Sequence, residues 1–432
     1  MEKIAEISNR ILPLLFFLFP FVPTFMVVDR LAVGYLYFSV VCLIIFILIS
    51  FQKLYLSLDF FKSRPLLILY FIFLMWQLIT ITNAFNFIEG LVEFSQYLTL
   101  FISICFIAFL APGYKRISLF FIPIVILGAI ETLYSFSIFL ENYTFENGIA
   151  RLRELQGFAS NQLFNSYAIL LKIPILFYLI FNQKNKYIRF LLWTLFSLML
   201  FMLLVLASRS SIYCFITLIV ILISTLSFQS KFFSKKILSK KDVLIVILIS
   251  IFTSGIQTFL YQNSDNLSVI NRATSLNDAS TNYRLENYKE AIQGIIDYPL
   301  LGVGIGNWKI MGIKYASYRM ESYEVPKHTH NDFLQIGAET GILGLLIFIS
   351  IFISIFISIV KEIIKKEDKL LPLILFLCLV VYLVDSFFNF PRIRPYSQMN
   401  FFIITFVYSW MISQTTKDKW KTLYSIYSYS YL

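Results

Sequence analysis

The chain has 432 residues, of which 58% are hydrophobic and only 14% charged, which excludes an ordinary water-soluble domain. Lysine and arginine outnumber aspartate and glutamate 36 to 25, a net charge of +11. The cations sit in short segments between apolar runs, so the balance points to a membrane and not to nucleic acid. Each of the four cysteines, Cys42, Cys105, Cys214 and Cys378, lies inside an apolar run, which argues against disulfides and metal clusters.

A bilayer-crossing helix needs roughly 20 mainly apolar residues. On that criterion the chain reads as an all-α polytopic membrane protein with about twelve spans, near residues 11–28, 31–51, 65–83, 94–111, 117–140, 164–181, 188–207, 210–228, 243–261, 341–360, 370–388 and 398–414. The run from Ile11 to Val28 has no small-residue cleavage site after it and is expected to be a retained span. No repeat or flexible linker divides the chain, so residues 1–432 read as a single polytopic domain with one long polar insertion, residues 262–340.

Orientation follows from the cations. Lys53, Lys62 and Arg64 share one loop; Lys115 and Arg116 another; Lys184, Lys186 and Arg189 a third. Lys231, Lys235, Lys236, Lys240 and Lys241 form the strongest cluster, and Lys361, Lys365, Lys366 and Lys369 the next. With twelve spans all fall on one face, together with Lys3, Arg10 and the basic C-terminus. That face is expected to be cytoplasmic, with both termini. Glu89 and Glu93 make one of the opposite loops acidic. The insertion 262–340 is then a large extracytoplasmic loop.

Chemistry-bearing residues cluster in and around that loop. Ser208-Arg209-Ser210-Ser211 joins two apolar runs with almost no loop, which puts Arg209 at the external membrane boundary. It is either an interfacial arginine or one aimed inward by a tight turn. Asn282–Tyr298 has helical periodicity, with Tyr288, Ala291, Ile292, Ile295 and Ile296 on one face, Ser280 or Thr281 as cap and Pro299 as stop. Arg284 shares that face and needs an anionic partner: a carboxylate such as Glu321 or Glu324, or a phosphate. The glycines of Leu301–Gly306 follow a helix and a proline, which rejects a dinucleotide fingerprint. They are expected to turn the backbone against the membrane surface, with Trp308 anchored at the interface.

His328-Thr329-His330-Asn331-Asp332 holds the only two histidines of the chain. A metal site with Asp332 or Glu339 is one reading, general-base chemistry by a neutral imidazole the favoured second, and a helix cap a third. Glu131 and Lys172 lie at similar depth in neighbouring spans and are expected to pair. Asp385 is expected either to orient His330 or to pair with Arg392 or Arg394.

The order Ser-Arg-Ser at a span junction, an Arg-bearing amphipathic helix, Pro-Leu-Leu-Gly-Val-Gly, His-Asn-Asp-Phe-Leu-Gln and Glu-Thr-Gly-Ile-Leu-Gly resembles the bacterial O-antigen ligase and O-antigen polymerase superfamily over roughly residues 205–350. The resemblance implies a membrane glycosyltransferase with a GT-C-like helical fold, working on the periplasmic side of the bacterial inner membrane. It implies a donor glycan on undecaprenyl diphosphate, and as acceptor a lipid A core, another lipid-linked glycan or a protein. It implies an inverting, metal-independent reaction with no cofactor, and matches the family's junction Arg, loop Arg and loop His to Arg209, Arg284 and His330. His328 is an additional histidine. Arg209, Arg284, His328, Asp332, Asp385 and Arg392 are expected to bind substrate. Two guanidiniums can neutralise a departing diphosphate without a metal. A transporter of the same lipid-linked sugars is the competing class; no internal repeat supports it.

Overall fold

A computed structural model describes residues 12–22, 29–51, 58–110, 118–144, 148–149, 155–157, 161–232, 237–261, 279–319, 327–365, 369–395, 397–398 and 401. The helices are α1 (Arg30–Phe51), α2 (Leu58–Lys62), α3 (Pro65–Thr80), α4 (Phe87–Leu110), α5 (Ser118–Asn142), α6 (Gln162–Leu170), α7 (Ile173–Asn182), α8 (Lys186–Val205), α9 (Arg209–Phe232), α10 (Lys240–Leu260), α11 (Ala279–Asp297), α12 (Trp308–Ala316), α13 (Asp332–Lys365) and α14 (Leu370–Phe388). Two antiparallel two-residue strands, β1 (Tyr143–Thr144) and β2 (Gly148–Ile149), follow α5.

Among the described residues, ten helices are long and apolar enough to cross a membrane, with α6 and α7 together forming one of them. The chain is an all-α, multi-pass membrane protein. Of the twelve expected spans, the first appears in its described part as a 3-10 helix, Leu12–Phe21. The last, 398–414, lies almost wholly outside the described residues, as do Glu321, Glu324 and residues 262–278 of the long loop.

The span formed by α6 and α7 and the span α14 are the most enclosed, 78% and 72% buried. Both carry chemistry inward. Pro174, in the first turn of α7, has no N–H to continue the α6 ladder, and the span breaks at Leu171–Lys172. At the break the Lys172 ammonium donates to Glu131 Oε2 at 2.7 Å and to the Ala168 carbonyl at 2.8 Å. Both side chains are fully buried, so the expected intramembrane pair forms.

Connections that are expected opposite the basic loops contact one another in pairs. Asn83, after α3, donates to the Gly302 carbonyl at 2.7 Å, and Glu89 in α4 pairs with Lys309 at 2.5 Å. Tyr143 donates to the Leu260 carbonyl at 2.8 Å. Glu89 and Glu93, expected in a loop, are already in the first turns of α4.

The segment 299–306 interlocks with α13 at this end. Gly341 adopts φ 73° and kinks α13, and a Cβ there would lie 2.1 Å from the Leu300 carbonyl oxygen. Ile342 N–H donates to the Pro299 carbonyl at 2.9 Å across the notch, and Val303 N–H to the Ala338 carbonyl at 2.9 Å. Trp308 departs from the expected interfacial anchor. It is 1% exposed and packs with Ala291 and Ala338, stacked on Tyr315 at 6.0 Å. Gly294 and Gly312 leave room for the indole: a Cβ on either would meet the ring at 3.0 and 3.1 Å.

Candidate active site

The histidine loop is built by capping. Asn331 Oδ1 accepts from the N–H groups of Phe333 at 3.0 Å and Leu334 at 3.1 Å, which caps α13. Thr329 Oγ1 donates to the Asn331 carbonyl at 2.7 Å. Gln335 Oε1 accepts from Thr329 N–H at 3.4 Å, while its amide donates to Glu339 Oε1 at 3.0 Å. His330 stands before the cap in the left-handed region, φ 57°. It therefore does not share a helix face with Leu334 and Gly341, as simple periodicity suggests. The turn aims its ring at Tyr283 and Phe390, with centroids at 6.2 and 5.2 Å.

His328 is half-buried, although it precedes the helix. Its ring lies on Phe390 at 4.3 Å, and burial, then the Arg392 charge and His330, push its pKa down to about 3. The pKa of His330 is pushed down to about 4, by burial first and then by the guanidiniums of Arg284 and Arg394. Both imidazoles are neutral near pH 7.

α11 brings Arg284 to this place. It is half-buried, near His330 and within the electrostatic reach of Asp385. One turn on, the Tyr288 hydroxyl contacts the carbonyls of His330 at 3.2 Å and Phe387 at 2.8 Å, which ties α11 to the loop and to the end of α14. The buried face of α11 holds Asn287, Glu290 and Ala291, while Ile292 and Ile296 are exposed, so the helix is rotated from the orientation its apolar spacing suggests.

Two buried ion networks lie beneath. Asp385 accepts from Arg394 Nη2 at 2.8 Å and from Asn389 at 2.8 Å. Of its two expected roles it takes the arginine pairing. Arg394 also lies 4.1 Å from the Phe164 ring. Arg392 pairs with Glu93 at 3.1 Å, Asp332 at 3.2 Å and Glu339 at 3.3 Å, and also touches the Tyr97 hydroxyl. Its backbone N–H donates to Asp332 Oδ2 at 3.1 Å, so the residue after the cap is held from two sides.

Arg209 is connected to this group by its chain neighbours Ser210 and Ser211, which contact α6. It opens α9, half-buried, after Ala207 at φ 50°. Ser211 and Ser166 hydroxyls meet at 2.5 Å, and Tyr167 faces Ser210, Asp385 and Arg284. Phe164, two residues earlier, packs edge-on against Phe390 at 5.2 Å. The start of α6 is a seam that sequence reasoning missed; its signal was the polar stretch Asn161–Tyr167 opening an apolar span. Glu93 and Tyr97 were also missed as a unit, although they lie four residues apart on one face of α4.

The structure thus sets His328, His330 and Arg394 against Phe390, with Arg284 near His330 and Asp385 on Arg394, while Asp332 and Arg392 pair with each other and Ser211, two residues after Arg209, contacts α6. Among the described residues no three of His, Cys, Asp and Glu converge as metal ligands would.

Residues 194–349 match the family model described as O-antigen ligase. Over that stretch the chain is similar to the O-antigen ligase and polymerase superfamily. The matched stretch runs from α8 into α13 and holds Arg209, Arg284, His328, His330 and Asp332, while Asp385 and Arg392 lie beyond it. A search of curated proteins gave no match. The family's work is glycosyl transfer of the ligase or polymerase type, with a lipid-linked glycan donor and a glycan acceptor in the membrane.

Proposed function

We propose that this protein transfers a glycan from undecaprenyl diphosphate to an acceptor hydroxyl, as an O-antigen ligase does with the lipid A core. The reaction takes place at the periplasmic face of the bacterial inner membrane, with both termini in the cytoplasm and residues 262–340 outside. The observation that carries the reading is a neutral His330 held beside Arg284 at one end of a membrane bundle. A buried imidazole supplies a base, and a guanidinium at lipid-headgroup height supplies a phosphate partner.

His330 accepts the proton of the acceptor hydroxyl as its oxygen attacks the sugar C1. The bond from C1 to the diphosphate oxygen breaks, and its electron pair leaves with the diphosphate. Arg284 and Arg209 offset the charge that develops there. A single displacement inverts the anomeric centre and needs no metal. The diphosphate also cancels part of the field that depresses His330, so donor binding raises the base toward its ordinary range. His328, beside His330, contacts substrate; Asp385 holds Arg394, and Asp332 and Arg392 grip each other and fix the loop.

The test is reconstituted protein given one undecaprenyl-diphosphate glycan and, in separate reactions, lipid A core, a second lipid-linked glycan or a protein acceptor. Transfer to lipid A core identifies a ligase, and transfer to the other two a polymerase or a protein transferase. His330→Ala should lower transfer by roughly a hundred- to ten-thousandfold, with donor binding retained, and His328→Ala much less. Movement of the glycan lipid across the bilayer with no transfer would make the protein a transporter. Equal losses in both His variants, restored by a divalent cation, would make the loop a metal site.

A further inference from the structure

Helix α11 buries one face and leaves an apolar strip exposed on another. Asn287, Glu290, Ala291 and Gly294 are buried against the protein, and Arg284 and Tyr288 form the edge that meets His330 and α14. Around the cylinder from that edge stand Leu285, Ile292 and Ile296, which at about 100° per residue fall within roughly 40° of one another. All three are exposed, Ile296 by 62%, and the strip runs on to Leu300, which is 71% exposed. Beyond it come Lys289, Gln293 and Asp297, also exposed.

Two hydrogen bonds set this helix against the membrane spans. Tyr288 donates to the carbonyl of Phe387, at the end of α14. Ile342, which begins α13 beyond the kink, donates to Pro299 at the other end of α11. The helix lies across the ends of two spans, and the span surface beside each anchor is itself apolar and exposed: Phe387 and Phe388 at one, Ile342 and Leu346 at the other. In a multi-pass protein such side chains face lipid, and the strip on α11 continues that surface.

We propose that the Leu285–Ile292–Ile296–Leu300 strip is embedded in the bilayer at the boundary of headgroups and acyl chains, so that α11 is an interfacial helix whose partner on this face is lipid. Three strips in succession explain its sequence. The apolar strip faces the acyl region, the Lys289–Gln293–Asp297 strip faces water, and the Arg284 edge lies at headgroup depth facing the protein. A second copy of the chain is the less fitting occupant, because the strip runs without a break into the lipid-facing sides of both spans. This inference rests on the multi-pass membrane fold and not on the transfer chemistry.

The test is collisional accessibility of nitroxide labels in lipid nanodiscs. The four native cysteines are buried, so single labels are placed by Leu285→Cys, Ile292→Cys and Ile296→Cys, and by Lys289→Cys and Gln293→Cys. Dissolved oxygen, which concentrates in the acyl region, should exceed a water-soluble nickel chelate at the first three sites, and the order should reverse at the other two. As a second measurement, Ile296→Trp fluorescence should be quenched by bromine on the acyl chains at least roughly twofold more than that of Gln293→Trp. Dominance of the nickel chelate along the strip would put it in water. Low accessibility to both reagents would put it under protein. Either result overturns the proposal, and neither depends on whether the protein transfers a glycan.

Discussion

Arg392 and Arg394 lie within about one turn of chain from each other, and they differ in kind from Arg209 and Arg284. The first two are buried and spoken for: Arg392 has three carboxylates within 3.3 Å, and Arg394 has Asp385 at 2.8 Å. The second two are half-buried, Arg209 at the start of α9 among serines and Arg284 in the second turn of α11 near an imidazole. A buried guanidinium surrounded by carboxylates holds structure, because removing it strands charges away from water. On the proposed reading, a half-buried guanidinium beside the histidine loop is the one that meets an incoming phosphate. On that reading Arg392 and Arg394 build the loop, and Arg209 and Arg284 serve the substrate.

The largest effect should come from breaking the structural pair. Arg392→Ala leaves Glu93, Asp332 and Glu339 without their common cation and should cost about 3–5 kcal/mol of stability. Thermal melting in detergent should show it, before any activity is measured. Wild-type melting would remove the distinction between the two pairs.

Next come the serving arginines. Arg284→Ala and Arg209→Ala should each lower transfer by about a hundred- to thousandfold, roughly 2.7–4 kcal/mol of transition-state stabilisation, with melting unchanged. Lysine at either position should restore only part of the rate, since it lacks the planar two-pronged donor. Transfer rates at equal expression, measured beside the melts, sharpen the comparison. An Arg284→Ala protein that unfolds instead would move Arg284 into the structural class.

The smallest effect is electrostatic. Arg284 helps to depress His330, so Arg284→Gln should raise the His330 pKa from about 4 toward its ordinary 6.5, as followed by NMR of labelled histidine. The sign for stability follows from the same shift. The unfolded chain protonates its histidines near 6.5 and the folded chain only near 4 and 3, so the contribution is fully present above 6.5 and is lost as pH falls toward those values. The stability of a double His328→Ala, His330→Ala protein should therefore depend less on pH between 6.5 and 4.

Much of this molecule was legible in the sequence where one-dimensional rules suffice. The multi-pass, all-α character came from apolar length, and ten spans stand among the described residues. The Glu131–Lys172 pair was legible because two charges at equal depth in adjacent spans have few other partners. What failed needed three dimensions. Trp308 reads as an interfacial anchor because it follows a glycine turn, but Gly294 and Gly312 open a slot that takes it inside. Ile292 and Ile296 read as core because periodicity finds an apolar face without saying whether protein or lipid covers it. Arg392 and Asp332 are sixty positions apart, so their mutual grip, which changes how both are read, has no local signature.

The left-handed backbone at His330 has a consequence for any survey of substitutions at this position. On the proposed reading a residue there must satisfy two separate demands, a φ near 57° and a proton acceptor, and the twenty amino acids meet them in different combinations. Asparagine and glycine tolerate the backbone and lack the base, so they should give folded, inactive protein. Valine and isoleucine lack both and should add about 1–3 kcal/mol of backbone strain to the chemical loss. A saturation library scored in parallel for abundance and for glycan transfer would therefore separate along two axes, with histidine alone high on both, and the spread of the other nineteen along the abundance axis would measure the turn independently of the reaction.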